Sequence, residues 1–292
     1  MKKLLVTGAS GFLGWNVCQV AQPKWDVYGT YNSKEVGFTG ITFIKTDITN
    51  FADLKRLFQD VEPDAVIHAA AHSKPNFCQQ NPQESYLINV TASLNVASLC
   101  ADADIPCAFT STDLVFDGLN PPYRESDRVC PINIYGEQKV EAERGMLMRY
   151  PKTAICRMPL MFGMASPHAE SFIQGFINNL KAGKTLNLFV DEFRTTVSGT
   201  TAARGLLLAV EKRVEGRLHL GGKERISRYK FGKLMAEVFD FPAENITPCR
   251  QGDVDVIAPR SPDTSLDSSK AFALGYQPPS IREELEALRG RV

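Results

Sequence analysis

Two hydroxyls and a carboxylate, Ser111, Thr112 and Asp113, stand at the end of an apolar run at 106–110. Tyr135 and Lys139 follow, four residues apart. A spacing of four puts those two on one face of a helix. A tyrosine is a poor proton donor or acceptor near neutrality, with a pKa of about 10. A neighbouring ammonium favours the phenolate and lowers that value. Lys139 is therefore expected to tune Tyr135 as a general acid–base and to hold the ribose of a nicotinamide cofactor. Hydride arriving at a ketone carbon builds negative charge on oxygen, which hydroxyls from Thr112 and Tyr135 would meet. A lone Tyr-x-x-x-Lys is an ordinary helical pair; its order after a glycine turn and a strand-end Ser-Thr gives it weight.

Such side chains need a strand that ends beside the start of a helix. Strands are predicted at 3–6, 26–30, 42–44, 64–68, 106–110 and 153–157, with helices at 12–21, 51–59, 84–100 and 133–148. In the second helix Phe51, Leu54, Leu57 and Phe58 share one face. Near-continuous apolar strands alternating with helices predict an α/β fold, a Rossmann-type doubly wound parallel sheet with right-handed crossovers. After Arg157 the rhythm loosens into helices at 169–181, 199–211, 227–239 and 282–288, a short strand at 218–220 and an irregular Pro-rich stretch at 247–267. The expected organisation is a dinucleotide-binding domain at 1–157, with 192–213 returning to it, and a smaller C-terminal substrate lobe from 158–191 and 214–292. Ligands bind at the carboxyl edge of such a sheet, where Ser111, Thr112 and Asp113 fall.

The first strand runs into Gly8, Ala9, Ser10, Gly11, Phe12, Leu13 and Gly14, a G-x-x-G-x-x-G turn that opens a helix. Glycines allow a tight turn and close backbone approach, and the free N–H groups at the helix start hold a pyrophosphate. An acid directly after the second strand would bind a ribose 2′-OH; Tyr31, Asn32, Ser33 and Lys34 stand there instead. Asn32 and Ser33 can donate to a 2′-phosphate, which leans towards NADP, with NAD possible because Glu35 is close by. Lys34 reads equally as a solvated loop lysine. Asp47 can accept from an adenine amino group while Ile48 packs on the ring; as a helix cap Asp47 is inferior to Thr49 or Asn50. Ala69, Ala70 and Ala71 are small enough to let a cofactor lie against the backbone.

The bulk numbers exclude several classes. The chain has 292 residues, and its 33 Lys+Arg balance 33 Asp+Glu, so the basic excess of a nucleic-acid binder is missing. No apolar stretch is long enough for a membrane span, and the run after Met1 meets Thr7-Gly8 too soon for an export signal. Seven scattered cysteines without a C-x-x-C pair argue against a disulfide framework or zinc site, and the histidines show no ligand spacing, so no metal is expected. These features fit a cytoplasmic protein with reduced, mostly buried thiols.

The segments Ser111-Thr112-Asp113-Leu114-Val115-Phe116-Asp117-Gly118, Pro122-Tyr123-Arg124-Glu125 and Pro131-Ile132-Asn133-Ile134-Tyr135-Gly136-Glu137-Gln138-Lys139, with Asn89-Val90 and Ser265-Leu266-Asp267, carry a resemblance. On them the chain resembles, over essentially its whole length, the extended short-chain dehydrogenase/reductases, and within these the dTDP-4-dehydrorhamnose reductase branch. The resemblance implies that Thr112, Tyr135 and Lys139 are the catalytic set. It implies that Asp113 and His72 face the substrate together with Phe116 and Met161, that Asn89 supports the site, and that Pro159 lies beside the nicotinamide. Asn89 and Ser111 are counted among the cofactor contacts. The branch usually has a Trp shortly after Arg157, absent from 158–163, and a Pro where Thr195 stands. Both departures fall in the substrate lobe. That lobe also resembles the regulatory beta subunit of methionine adenosyltransferase, which keeps the reductase fold and binds NADP but serves as a partner subunit.

The expected activity is reduction of the keto group of a 4-keto-6-deoxy sugar nucleotide. Arg194 and Arg260 are candidates for the diphosphate, because a guanidinium grips phosphate at two points; each reads equally as a surface ion pair. The alternatives are a cofactor-bound regulatory subunit with an enzyme partner, or an epimerase or dehydratase of the same fold. A dehydratase wants a second acid, and Leu114 follows Asp113. A homodimer through 84–100 and 133–148 is the habit of the resembled family.

Overall fold

The computed structural model describes every residue except Glu35. That residue, weighed above in the choice of cofactor, lies outside the described residues. Seven parallel strands form the central sheet: β1 (Lys3–Thr7), β2 (Asp26–Tyr31), β3 (Ile41–Lys45), β4 (Ala65–His68), β5 (Cys107–Thr112), β6 (Ala154–Met158) and β7 (Gly216–His219). Their order is β7-β6-β5-β4-β1-β2-β3. The chain leaves β1 in one direction, returns, and continues from β4 in the other. The switch point between β1 and β4, where Thr7 pairs with His68, therefore leaves a crevice at the strand ends.

Strand periodicity assigns the two faces. Leu4 and Val6 point into one core, under helices Phe12–Ala21 and Gly199–Glu211. Leu5 points into the other, under Phe51–Val61, Ala92–Ala103 and Ile134–Arg149. All three are fully buried, each stabilising the fold by about 1.5–3 kcal/mol. A separate lobe core gathers Phe162, Ile173, Leu188 and Phe231 around helices Phe172–Lys181 and Arg228–Val238.

The structure corrects the predicted elements where tertiary pairing overrides local pattern. The 218–220 strand begins at Gly216 and joins the central sheet beside β6, so this part of 214–292 does not belong to the lobe. The parallel pair Leu186–Phe189 and Ile246–Cys249 has no clear sequence pattern, its second strand being interrupted by Pro248. β5 extends through Ser111 and Thr112, making them strand residues. Phe51 opens its helix 46% exposed, off the buried face of Leu54, Leu57 and Phe58. The 84–100 helix is three pieces, Pro82–Tyr86, a π-turn at Leu87–Thr91, and Ala92–Ala103. Five cysteines are buried, Cys249 is partly buried and Cys130 is exposed; all are free. Among the described residues no helix is long and apolar enough to cross a membrane.

Candidate active site

The glycine turn is built by close approach. Gly8 has φ +70°, and a Cβ on it would lie 2.6 Å from Ala70 Cα; a Cβ on Gly14 would lie 2.2 Å from the Gly8 carbonyl oxygen. The helix that follows is N-capped by Gly11 with no side-chain hydrogen bond, so its first amides are open to an anion. A cleft of about 450 Å³ lies over this turn. Gly8, Ser10, Gly11, Tyr31, Asn32, Asp47, Ile48, Ala69, Ala70 and Ala71 line it. Thr30, Thr46, Thr49, Glu84, Leu87 and Ile88 also line it, and no motif in the sequence marks them. Phe12, Leu13 and Gly14 stand in the first helical turn behind it, and Ser33 is exposed outside the lining. Asp47 is not the helix cap: Asn50 Oδ1 accepts from the Ala52 and Asp53 amides, while Asp47 accepts from Thr49.

Tyr135 reaches the end of β5 because its helix starts jammed against the strand's exit. Asn133 caps the helix by accepting from Gly136 N–H at 2.9 Å. A Cβ on Gly136 would fall 2.3 Å from the Leu114 carbonyl oxygen, so only glycine permits this contact. Thr112 Oγ1 donates to Asp113 at 3.2 Å and accepts from Leu114 N–H at 3.2 Å. Lys139 Nζ donates to the Thr110 carbonyl at 2.8 Å, lies 4.5 Å from the Phe109 ring centre and is 5.9 Å from that of Tyr135.

Here the expected electrostatics are corrected. Burial pushes the Tyr135 phenol well above the ordinary tyrosine range; Cys78 and Asp113 push it further, against a smaller opposing effect of the Thr112 hydroxyl. Burial also pushes Lys139 down to about 7, against Glu143 and Cys78. Desolvation raises the phenol where the ammonium is expected to lower it. Tyr135 is held as a neutral phenol, which carries a proton across the neutral range.

This has a pH consequence. Lys139 carries 10.5 as its ordinary value and about 7 in the fold, so across that window the unfolded chain binds the proton the folded chain has lost. Stability owed to this group therefore rises with pH from about 7 to 10.5, and its burial penalty is full below 7. Lys139→Met removes the effect. Its stability relative to the unsubstituted protein should be greatest at about pH 6 and shrink towards about pH 10, read from urea midpoints. A pH-independent difference would contradict the shift.

The remaining predicted residues divide. Asp113 is buried, which raises its pKa; Arg194 at 3.3 Å, Thr264 at 2.7 Å and Thr112 oppose that rise. Arg194 is turned inward onto Asp113, Glu192 and the Ser261 carbonyl. Arg260 is exposed, 3.5 Å from Glu192. His72 lines the cofactor cleft, packed on Phe77 and 3.7 Å from Glu84. Pro159 is buried just after β6, and Met161 is partly buried in a two-residue strand. Phe116 is corrected to a core residue: it has no exposed surface and is stacked on Tyr123 at 4.1 Å. Ser111 is also corrected, because its hydroxyl donates to Glu143 at 2.5 Å, within a buried network rather than towards the cleft. Glu143 binds Arg157 through two contacts of 3.0 and 2.8 Å, and Arg157 reaches His219 at 3.3 Å.

Asn89 sits in the π-turn. Its Oδ1 accepts from His72 N–H at 2.9 Å, and its Nδ2 donates to the His72 carbonyl at 3.1 Å and to Gln138 at 2.9 Å. The inserted residue turns this side chain onto the loop after β4 and ties that loop to the Tyr135 helix. π-turns gather at functional sites. Ser93 donates to the Asn89 carbonyl at 2.8 Å and meets His68 at 3.0 Å; the other His68 nitrogen meets Thr7 at 2.6 Å. Burial and then Lys139 push His68 down to about 3, so it stays neutral.

The family model described as "RmlD substrate binding domain" matches residues 1–291. Methionine adenosyltransferase 2 subunit beta of Xenopus laevis is 30% identical over 281 residues, covering 94% of this chain and 83% of that protein. "Probable low-salt glycan biosynthesis reductase Agl14" of Haloferax volcanii is 31% identical over 288 residues, covering 97% and 96%. The crystal structure of dTDP-4-dehydrorhamnose reductase from Bacillus anthracis, in complex with NADP, superposes with a TM-score of 0.88 at 23% identity, covering 99% of each chain.

Proposed function

Since the chain belongs to the RmlD substrate binding domain family, we propose that it is an NADPH-dependent reductase of the keto group of a dTDP-linked 4-keto-6-deoxy sugar. The observation that carries this is a neutral, buried Tyr135 phenol beside Thr112 at the end of β5, next to the crevice at the β1/β4 switch point. The similarity to a glycan biosynthesis reductase supports it.

The glycine turn and the uncapped helix start suit a pyrophosphate, and Tyr31, Asn32 and Ser33 bring no carboxylate to oppose a 2′-phosphate. Bound there, NADPH would supply the hydride. Tyr135 donates the proton to the oxygen that gains charge, and Thr112 hydrogen-bonds the same oxygen. Lys139 steadies the floor through the Thr110 carbonyl. Asn89 holds the two walls together through His72 and Gln138.

A second reading, an NADP-binding regulatory subunit without turnover, is favoured by the 30% identity to a methionine adenosyltransferase beta subunit. Adding a dTDP-4-keto-6-deoxyhexose to the protein with NADPH separates the two. The proposal expects NADPH fluorescence to decay with turnover. Cofactor binding without consumption, together with co-purification of an adenosyltransferase catalytic subunit, would establish the second reading instead.

A further inference from the structure

Two guanidinium groups, Arg194 and Arg260, meet two carboxylates, Asp113 and Glu192, where the lobe meets the end of β5, and a third, Arg228, feels the charge of Glu192. Arg194 is 3.3 Å from Asp113 and 3.6 Å from Glu192, and Arg260 is 3.5 Å from Glu192. Arg228 has no such partner. It stands at the first position of its helix, and its guanidinium lies 4.1 Å from the ring centre of Phe172 and 5.3 Å from that of Phe176. Among the described residues its side chain has neither an ion pair nor a hydrogen bond, and Nη1 is buried without an acceptor. Burial pushes this guanidinium down to about 10, with Glu192 pulling it up and Arg194 and Arg260 adding to the fall. Glu192 has the matching deficit: it is 5% exposed, its ion pairs are loose, and Oε2 accepts no hydrogen bond.

A buried charge lacking hydrogen bonds is costly, so this cluster is one acceptor and one donor short. A ligand carrying both phosphate oxygens and hydroxyls makes up both deficits. The cluster is contiguous with the proposed chemistry, because Asp113, which holds Arg194, also accepts from Thr112.

We propose that Arg228, backed by Phe172 and Phe176, is the phosphate contact of the substrate site, and that Glu192 accepts from a hydroxyl of the same ligand. This rests on the sugar-nucleotide reading and shifts the phosphate role from Arg194, whose guanidinium is already engaged. The rings hold the guanidinium plane, and phosphate oxygens meet its edge.

The test compares the unsubstituted protein with Arg228→Met, whose apolar chain still packs on the rings, and with Glu192→Gln. Each is titrated with NADPH, and then, with NADPH saturating so that the glycine turn is filled, with dTDP-glucose and inorganic pyrophosphate. The expected result is a 10- to 100-fold weaker Kd of Arg228→Met for dTDP-glucose and pyrophosphate, about the value of a charged hydrogen bond, with NADPH binding unchanged. Glu192→Gln should weaken dTDP-glucose but not pyrophosphate. Equal dTDP-glucose affinity in Arg228→Met would overturn the assignment while leaving the reductase reading intact. Pyrophosphate binding lost in Arg228→Met, with no dTDP-glucose binding by any form, would uphold the anion site and remove the sugar-nucleotide reading. If the unsubstituted protein bound neither anion, both would fall.

Discussion

Tyr135→Phe should lower the rate of keto-sugar reduction by about 10²- to 10⁴-fold, the range of a lost general acid, while leaving NADPH affinity within about twofold. The reasoning is local. The phenol is 7% exposed at the junction of β5 and its own helix. Removing one oxygen leaves the ring packing, the Asn133 cap and the Gly136–Leu114 contact untouched. Burial keeps the proton on the phenol through the neutral range, so the substitution removes the group that carries it. Single-turnover decay of NADPH separates the chemical step from binding. A Phe variant that reduced substrate at the original rate would move the proton source to another group.

The second large effect is on stability. Glu143 and Arg157 have side chains 2% and 1% exposed and share two short contacts. Removing one partner strands the other: without Arg157, Glu143 keeps Ser111 and a half-exposed Arg217 at 3.8 Å. Without Glu143, Arg157 faces His219, which burial and then Arg157 itself hold down at about 3 and therefore uncharged. Breaking such a pair costs about 3–5 kcal/mol, whereas replacing both partners with apolar groups is near neutral. Arg157→Met alone should therefore lose about 3–5 kcal/mol in urea unfolding, and adding Glu143→Leu should recover most of it. A loss below about 1 kcal/mol in the single variant would mean the pair was solvated.

What the sequence made legible was carried by short-range pattern. Leu4, Leu5 and Val6 show a strand buried on both faces, and Gly8, Gly11 and Gly14 show the turn. Tyr135 and Lys139 show a shared helix face by spacing alone. The π-turn at Asn89 escaped because one inserted residue changes hydrogen bonding without changing composition or period. The Ser111–Glu143–Arg157–His219 network escaped because its members are far apart in the chain, although two signals were present. Glu143 lies four residues beyond Lys139 on the same face, and Arg157 is a charge inside an otherwise apolar strand. Arg228 escaped because an unpaired guanidinium is defined by what surrounds it, which no local pattern encodes. Spacing places Tyr135 beside Lys139 but does not report depth of burial, which sets the direction in which each is shifted.

A crystal structure with NADPH and a non-reacting sugar nucleotide bound tests the central claim most directly. The account expects the Tyr135 phenol oxygen within about 2.6–3.2 Å of the sugar oxygen at the reacting carbon, with that carbon facing the nicotinamide beside Thr112 and the pyrophosphate over the glycine turn. A ternary complex in which Tyr135 points away from that oxygen, with both ligands in place, would contradict it.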